Sequence, residues 1–304
     1  MTAQEINAHA LKCLYSQRWK EAQKKFFENA KKNPCHETYN NLGYFLINEG
    51  IECENGKVRN AQKLGVKYLM RAAEIKETQI NLCAFAKAYE YELMTSSPQN
   101  REILFQESSQ CLKKALEINY SPIIDYNYIR CLHLINSKDE SLLEKTRKLL
   151  TNYVSYESVL LYLEMLCNHF LLDEGIRCIE QYGNYLNDID ILMFFAKFEM
   201  YDRAYPLCKA VCEQFSPDKY IASAIIESCI NTCHFEQARL YAKQISELEE
   251  DFCYKGKEVW IEEVFDNMES SDESRKKLIS KHSLSPPSID FCCYFGCSVH
   301  GMEW

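Results

Sequence analysis

At 304 residues, with 47% hydrophobic and 26% charged content, the chain has the make-up of a folded protein but is longer than one compact core usually holds. Only 9 Gly and 7 Pro leave little material for sheets, tight hairpins or long linkers, so helix is expected nearly throughout. A formal charge of −9 excludes broad binding to a phosphate backbone, and the basic pairs Lys24-Lys25 and Lys31-Lys32 read as solvated helix faces.

The opening Met-Thr-Ala-Gln-Glu lacks a basic lead and an apolar core, and no later stretch approaches about eighteen uninterrupted apolar residues. A cytoplasmic protein without membrane contact is the expectation. The 16 cysteines, scattered at apolar helix positions, are then expected to be small buried hydrophobes rather than disulfide partners.

Taken in order, the first hairpin pairs Ile6–Leu14 with Trp19–Lys32 across Ser16-Gln17-Arg18, and Asn33-Pro34 stops it because a residue before proline avoids the helical region. The second opens at Tyr39-Asn-Asn-Leu-Gly43 and returns through Leu64–Ala73 after an Asn/Glu/Gly-rich insertion near 48–60. The third pairs Ile80–Met94 with a helix through Cys111–Ala115, across a loop at Ser96-Ser-Pro-Gln-Asn100. Then come Ile123–Ile135 with Leu142–Tyr153, joined by the turn and cap residues Asn136–Asp139, and Val159–Phe170 with Asp173–Leu186, capped by Asp173. The last two pair Ile189–Phe198 with Ala204–Phe215, and Lys219–Ile230 with Phe235–Leu248. Residues 1–250 are thus predicted as one helical array, 251–282 as capping helices, and 283–304 as a Pro/Ser linker with a Cys- and aromatic-rich tail.

An aromatic residue followed three later by alanine marks several second helices: Trp19/Ala22, Tyr201/Ala204 and Phe235/Ala238. With Phe26 and Pro34 these fall at tetratricopeptide spacing, and Ala204 to Ala238 repeats at that family's period of about 34 residues. The chain therefore resembles the tetratricopeptide repeat, and Tyr68-Leu-x-x-Ala-Ala73, after the longer turn, resembles its Sel1-like cousin. The resemblance implies a right-handed α-solenoid of about seven helix-turn-helix hairpins whose first helices line a concave groove. It places Asn7, Asn40, Asn41, Tyr44, Lys87, Tyr91, Asn127 and Arg130 in that groove, a set of amides, aromatics and cations suited to an extended peptide. One subclass grips a C-terminal carboxylate. Asn41 matches one of its amide positions, but Asn7 and Leu11 stand where it has Lys and Asn, which argues against chaperone C-termini as ligands.

The tail Asp290-Phe-Cys-Cys-Tyr-Phe-Gly-Cys-Ser-Val-His-Gly-Met-Glu-Trp304 gathers Cys292, Cys293, Cys297, His300 and Trp304 and is too apolar to hang in water. Docking onto its own array, presentation to a partner or modifying enzyme, and zinc ligation by Cys293, Cys297 and His300 are all open uses. Cys208, Cys212, Cys229 and Cys233, with His234, form a second thiol group, expected to be buried packing. No phosphate-binding glycine loop, nucleophile elbow or zinc-protease helix motif is present. The expectation is a non-catalytic scaffold that binds a protein or peptide and needs no cofactor, zinc being the one metal the tail suits. The alternatives are an accessory or substrate protein acting through its tail, and a peptide-sensing regulator.

Overall fold

A computed structural model describes residues 1–49, 58–93, 98–214, 219–234, 236–241 and 284–300. These residues form thirteen α-helices, a further helical stretch at 236–241 and one 3-10 helix, with no strand among them, as the composition predicts. None of these helices is long and apolar enough to cross a membrane. The predicted capping helices at 251–282 and most of the insertion near 48–60 lie outside the described residues.

The chain divides into two compact units, one of residues 1–153 with 288–304 and one of residues 154–287. The first holds α1 (Ala3–Tyr15), α2 (Trp19–Lys32), α3 (His36–Asn48), α4 (Val58–Ile75), α5 (Gln79–Leu93), α6 (Pro98–Ile118), α7 (Pro122–Ile135) and α8 (Glu140–Asn152). Each of these helices packs on the next, and α3 also reaches α5. The second unit holds α9 (Tyr156–Asn168), α10 (Leu172–Tyr182), the 3-10 turn Gly183–Tyr185, α11 (Asp188–Lys197), α12 (Tyr201–Gln214) and α13 (Lys219–Asn231). There α9 packs on α10 and α11, α11 on α12, and α13 on both α11 and α12.

Local chemistry sets the helix ends. Thr2 and Glu5 exchange backbone and side-chain bonds as a capping box on α1, Ser155 and Ser158 do the same on α9, and Asp139 caps α8 through the Ser141 N–H at 2.9 Å. Pro122 sits in the first turn of α7, where its missing N–H costs nothing. Two expectations need correction. Asp173 does not cap α10, which starts at Leu172 and carries Asp173 inside its first turn, where a carboxylate still favours the helix dipole. The loop expected at 96–100 is shorter, because α6 already begins at Pro98, a residue suited to a helix start.

One turn recurs. Gln17, Phe170, Glu199 and Cys233 all adopt left-handed φ near 60° just after a helix. In each case the following N–H bonds back five residues: Arg18 to the Cys13 carbonyl at 2.9 Å, Leu171 to Leu166 at 2.9 Å, Met200 to Phe195 at 2.8 Å and His234 to Cys229 at 2.7 Å. This closes the end of the first helix and reverses the chain within two residues, so the second helix folds back at once. None of the four is glycine, so each accepts roughly 1–2 kcal/mol of strain in return for the closed helix end.

The small residues singled out in the sequence are fully buried, Ala22, Ala204 and Ala238 among them. Gly43 on α3 faces Gly65 on α4 so closely that a Cβ there would lie 2.8 Å from the Gly65 carbonyl oxygen. In the first unit one apolar cluster draws buried side chains from each of α1 to α7, and Cys293, Tyr294 and Cys297 of the tail belong to it.

Candidate functional site: a face of first helices filled by residues 289–300

Residues 289–300 run as non-helical backbone across α7, α5, α3 and α1 in that order, and they meet these helices through side chains that address the peptide backbone. Asn127 on α7 donates from Nδ2 to the Ile289 carbonyl and accepts the Ile289 N–H on Oδ1, both at 3.2 Å. On α3, Asn41 does the same for Phe295, donating to its carbonyl at 3.0 Å and accepting its N–H at 2.7 Å. Asn7 on α1 adds a second donor to the Phe295 carbonyl at 2.6 Å and is itself held by Asn41 at 2.6 Å. Between these anchors Asn40 donates to the Cys293 carbonyl at 2.7 Å, and Tyr44 donates to the Phe291 carbonyl at 3.2 Å. The carbonyls of 289, 291, 293 and 295 are the ones taken, which is the period of two that extended backbone imposes.

The Lys87 side chain on α5 is mostly buried, yet it donates to the Phe291 carbonyl at 2.9 Å, to Asp290 at 2.8 Å and to the Tyr44 hydroxyl at 3.2 Å, with its ammonium 4.8 Å from the Phe291 ring centre. Burial works against this charge, but Tyr44, Cys293 and the Asp290 carboxylate outweigh it and hold the ammonium pKa above its ordinary value. Tyr294 is the apolar anchor: its ring stacks on Phe26 of α2 at 5.8 Å and meets Tyr44 edge-on at 4.8 Å, while Phe295 meets His36 edge-on at 5.4 Å. A cleft of about 650 Å³ lies beside the segment, lined in part by Trp19, Asn48 and Glu49.

Six of the residues expected in the groove therefore meet on one segment: Asn7, Asn40, Asn41, Tyr44, Lys87 and Asn127. Arg130, one turn beyond Asn127, instead lies 3.7 Å from Glu90. Burial raises the Glu90 carboxyl above its ordinary value, and Arg130 partly offsets that. The Tyr91 side chain and Trp304 lie outside the described residues. Residue-by-residue reading missed Phe26, His36 and Tyr15, which become part of the site only once the tail is in place.

The thiols divide differently from expectation. Cys293 turns fully into the core, where burial pushes its thiol up to about 12. It is Cys292, on the other side of the backbone, that stands by Cys297 and His300, with the three ligand atoms within 4.8 Å of one another. Gly296, at φ +72, supplies the turn that returns the chain toward Cys292. Tyr15 at the end of α1 lies 2.8 Å from the Cys297 sulfur and 3.4 Å from His300 Nδ1. Burial alone would raise the Cys297 thiol, but hydrogen bonds from Tyr15, the His300 and Val299 amides and the His300 ring bring it down to about 7.

A second cluster, His9, Cys13 and Glu21, also brings three ligand atoms within 4.8 Å between α1 and α2. The second thiol group, expected as buried packing, is buried at Cys208 on α12 and Cys229 on α13 and half-buried at Cys212, and it gathers no such set of three ligand atoms among the described residues. Cys208 and Cys229 are buried neighbours, and their contact and burial raise the Cys208 thiol, while Cys233 is exposed and His234 stacks on Tyr205 at 3.8 Å.

No family model matches the chain, and no curated protein matches it.

Proposed function

We propose that the first unit is part of a right-handed α-solenoid of tetratricopeptide type, whose first-helix face binds extended peptide without catalysis, and that residues 289–300 hold that face as a built-in ligand. The observation that carries this reading is the pair of two-point clasps, Asn127 on Ile289 and Asn41 on Phe295. A side chain that satisfies both polar groups of one residue recognises backbone rather than sequence, so the same face suits other extended chains of similar aromatic content. Each such bond contributes about 1 kcal/mol net, and the buried Tyr294 ring adds about 2 kcal/mol. A ligand competing for the face would have to displace the tethered segment, which makes the array a scaffold with a regulated groove.

A protease site inserted between Pro287 and Ser288 tests this. After cleavage the fragment starting at Ser288 should stay bound through gel filtration, and an excess of synthetic peptide 288–300 should exchange with it. Immediate loss of the fragment, with helix content unchanged, would overturn the reading.

A further inference from the structure

We propose that Cys292, Cys297 and His300 form a binding site for a thiophilic divalent cation of the zinc class, and that Tyr15 ties this site to α1 so that the metal staples residues 289–300 onto the groove face. The three ligands come from the segment itself, while the link to Tyr15 and the exclusion of Cys293 rest on the docking proposed above.

Two thiolates and an imidazole are the donors zinc prefers, and the spacing Cys-x4-Cys-x2-His closes a short loop around one point. The Cys297 sulfur lies 3.6 Å from His300 Nδ1. Bonds of roughly 2.3 Å to sulfur and 2.0 Å to nitrogen at a tetrahedral angle require an edge of about 3.6 Å, so that pair needs no rearrangement to share one ion. The turn at Phe295-Gly296 brings Cys297 back beside Cys292, and Cys293 is excluded because its sulfur is sealed in the core. His300 is exposed, which leaves the fourth coordination position to water. The Tyr15 hydroxyl at 2.8 Å from the Cys297 sulfur is a hydrogen-bonding partner of a metal thiolate, the kind of outer contact that fixes a ligand's direction. Binding displaces the two thiol protons into solvent. The rival cluster of His9, Cys13 and Glu21 is less suited: Cys13 is fully buried and Glu21 is already paired with Arg18 at 2.9 Å.

The test is cobalt(II) titration of the reduced full-length chain, followed by zinc. One equivalent should give sulfur-to-cobalt charge-transfer absorption and tetrahedral visible bands, and zinc should bleach them. Cys292→Ser, Cys297→Ser and His300→Ala should each weaken binding at least tenfold, whereas Cys293→Ser and Cys13→Ser should not. Tyr15→Phe should keep the metal but abolish the extra protection from proteolysis that zinc gives residues 289–300. Absence of the bands, or bands that survive Cys297→Ser or vanish with Cys13→Ser, would overturn the site. Failure of the groove reading looks different: the bands would remain, while zinc and groove substitutions would leave proteolysis of the segment unchanged.

Discussion

Asn41 closes both backbone groups of Phe295 with one side chain, the N–H entering Oδ1 at 2.7 Å and the carbonyl receiving Nδ2 at 3.0 Å. Asn41→Ala removes both bonds and leaves a part-buried N–H without a partner, a cost of about 1–3 kcal/mol to docking. Chymotrypsin should then cut after Tyr294 or Phe295 on the order of tenfold to a hundredfold faster than in the wild type. Equal cleavage rates would mean that the clasp does not hold the segment.

Tyr294 separates packing from polarity. Its hydroxyl is buried without a hydrogen-bond partner among the described residues, and burial drives its pKa well above normal, while its ring lies between Phe26 and Tyr44. Tyr294→Phe removes only the unpaired oxygen and should leave the thermal midpoint unchanged or raise it. Tyr294→Ala empties a ring-sized cavity and should cost about 3–5 kcal/mol of docking, read as release of the segment by proteolysis.

Gly43 marks the closest approach of α3 to α4. A methyl group there would sit 2.8 Å from both the Gly65 carbonyl oxygen and Leu69 Cγ, and the backbone atom cannot move alone. Gly43→Ala should destabilise the first unit by about 1–3 kcal/mol despite alanine's better helix propensity, visible as a lower urea midpoint.

Glu164 makes the second unit sensitive to pH. Burial raises its carboxyl to about 7, partly opposed by the Leu284 N–H, which donates to Oε2 at 2.9 Å, and by Asn168. A folded pKa above the unfolded one means that the native state binds the extra proton between about 4.5 and 7. This contribution is therefore full below about pH 4.5, is lost as pH rises to about 7, by on the order of 2–3 kcal/mol, and does not change further above that. Glu164→Gln should flatten that part of the profile in urea melts taken from pH 5 to 8.

The sequence carried the helical class, the hairpin starts and six of the side chains that meet residues 289–300. Asn7, Asn40, Asn41, Lys87 and Asn127 could be found because the resemblance names the first-helix face and helical spacing then selects the residues on it. Ala22 and Ala238 could be found because close helix contact admits little but small side chains. Other features depend on contacts that spacing does not encode. Whether Cys292 or Cys293 faces the core is fixed by the side of the extended backbone that meets α3, and a shift of one residue would exchange them. Tyr15 enters the site only through the Gly296 turn, and the left-handed turns at Gln17, Phe170, Glu199 and Cys233 carry no glycine to announce them.

The central claim, that residues 289–300 occupy a peptide-binding face, is tested most directly by hydrogen exchange at the Ile289 and Phe295 amides, the two N–H groups held by Asn127 and Asn41. Both should exchange at least about tenfold more slowly than their intrinsic rates, the equivalent of roughly 1.4 kcal/mol of docking, and Asn41→Ala with Asn127→Ala should abolish that protection while helix content is unchanged. Exchange of both amides at intrinsic rates in the unaltered protein would contradict the account.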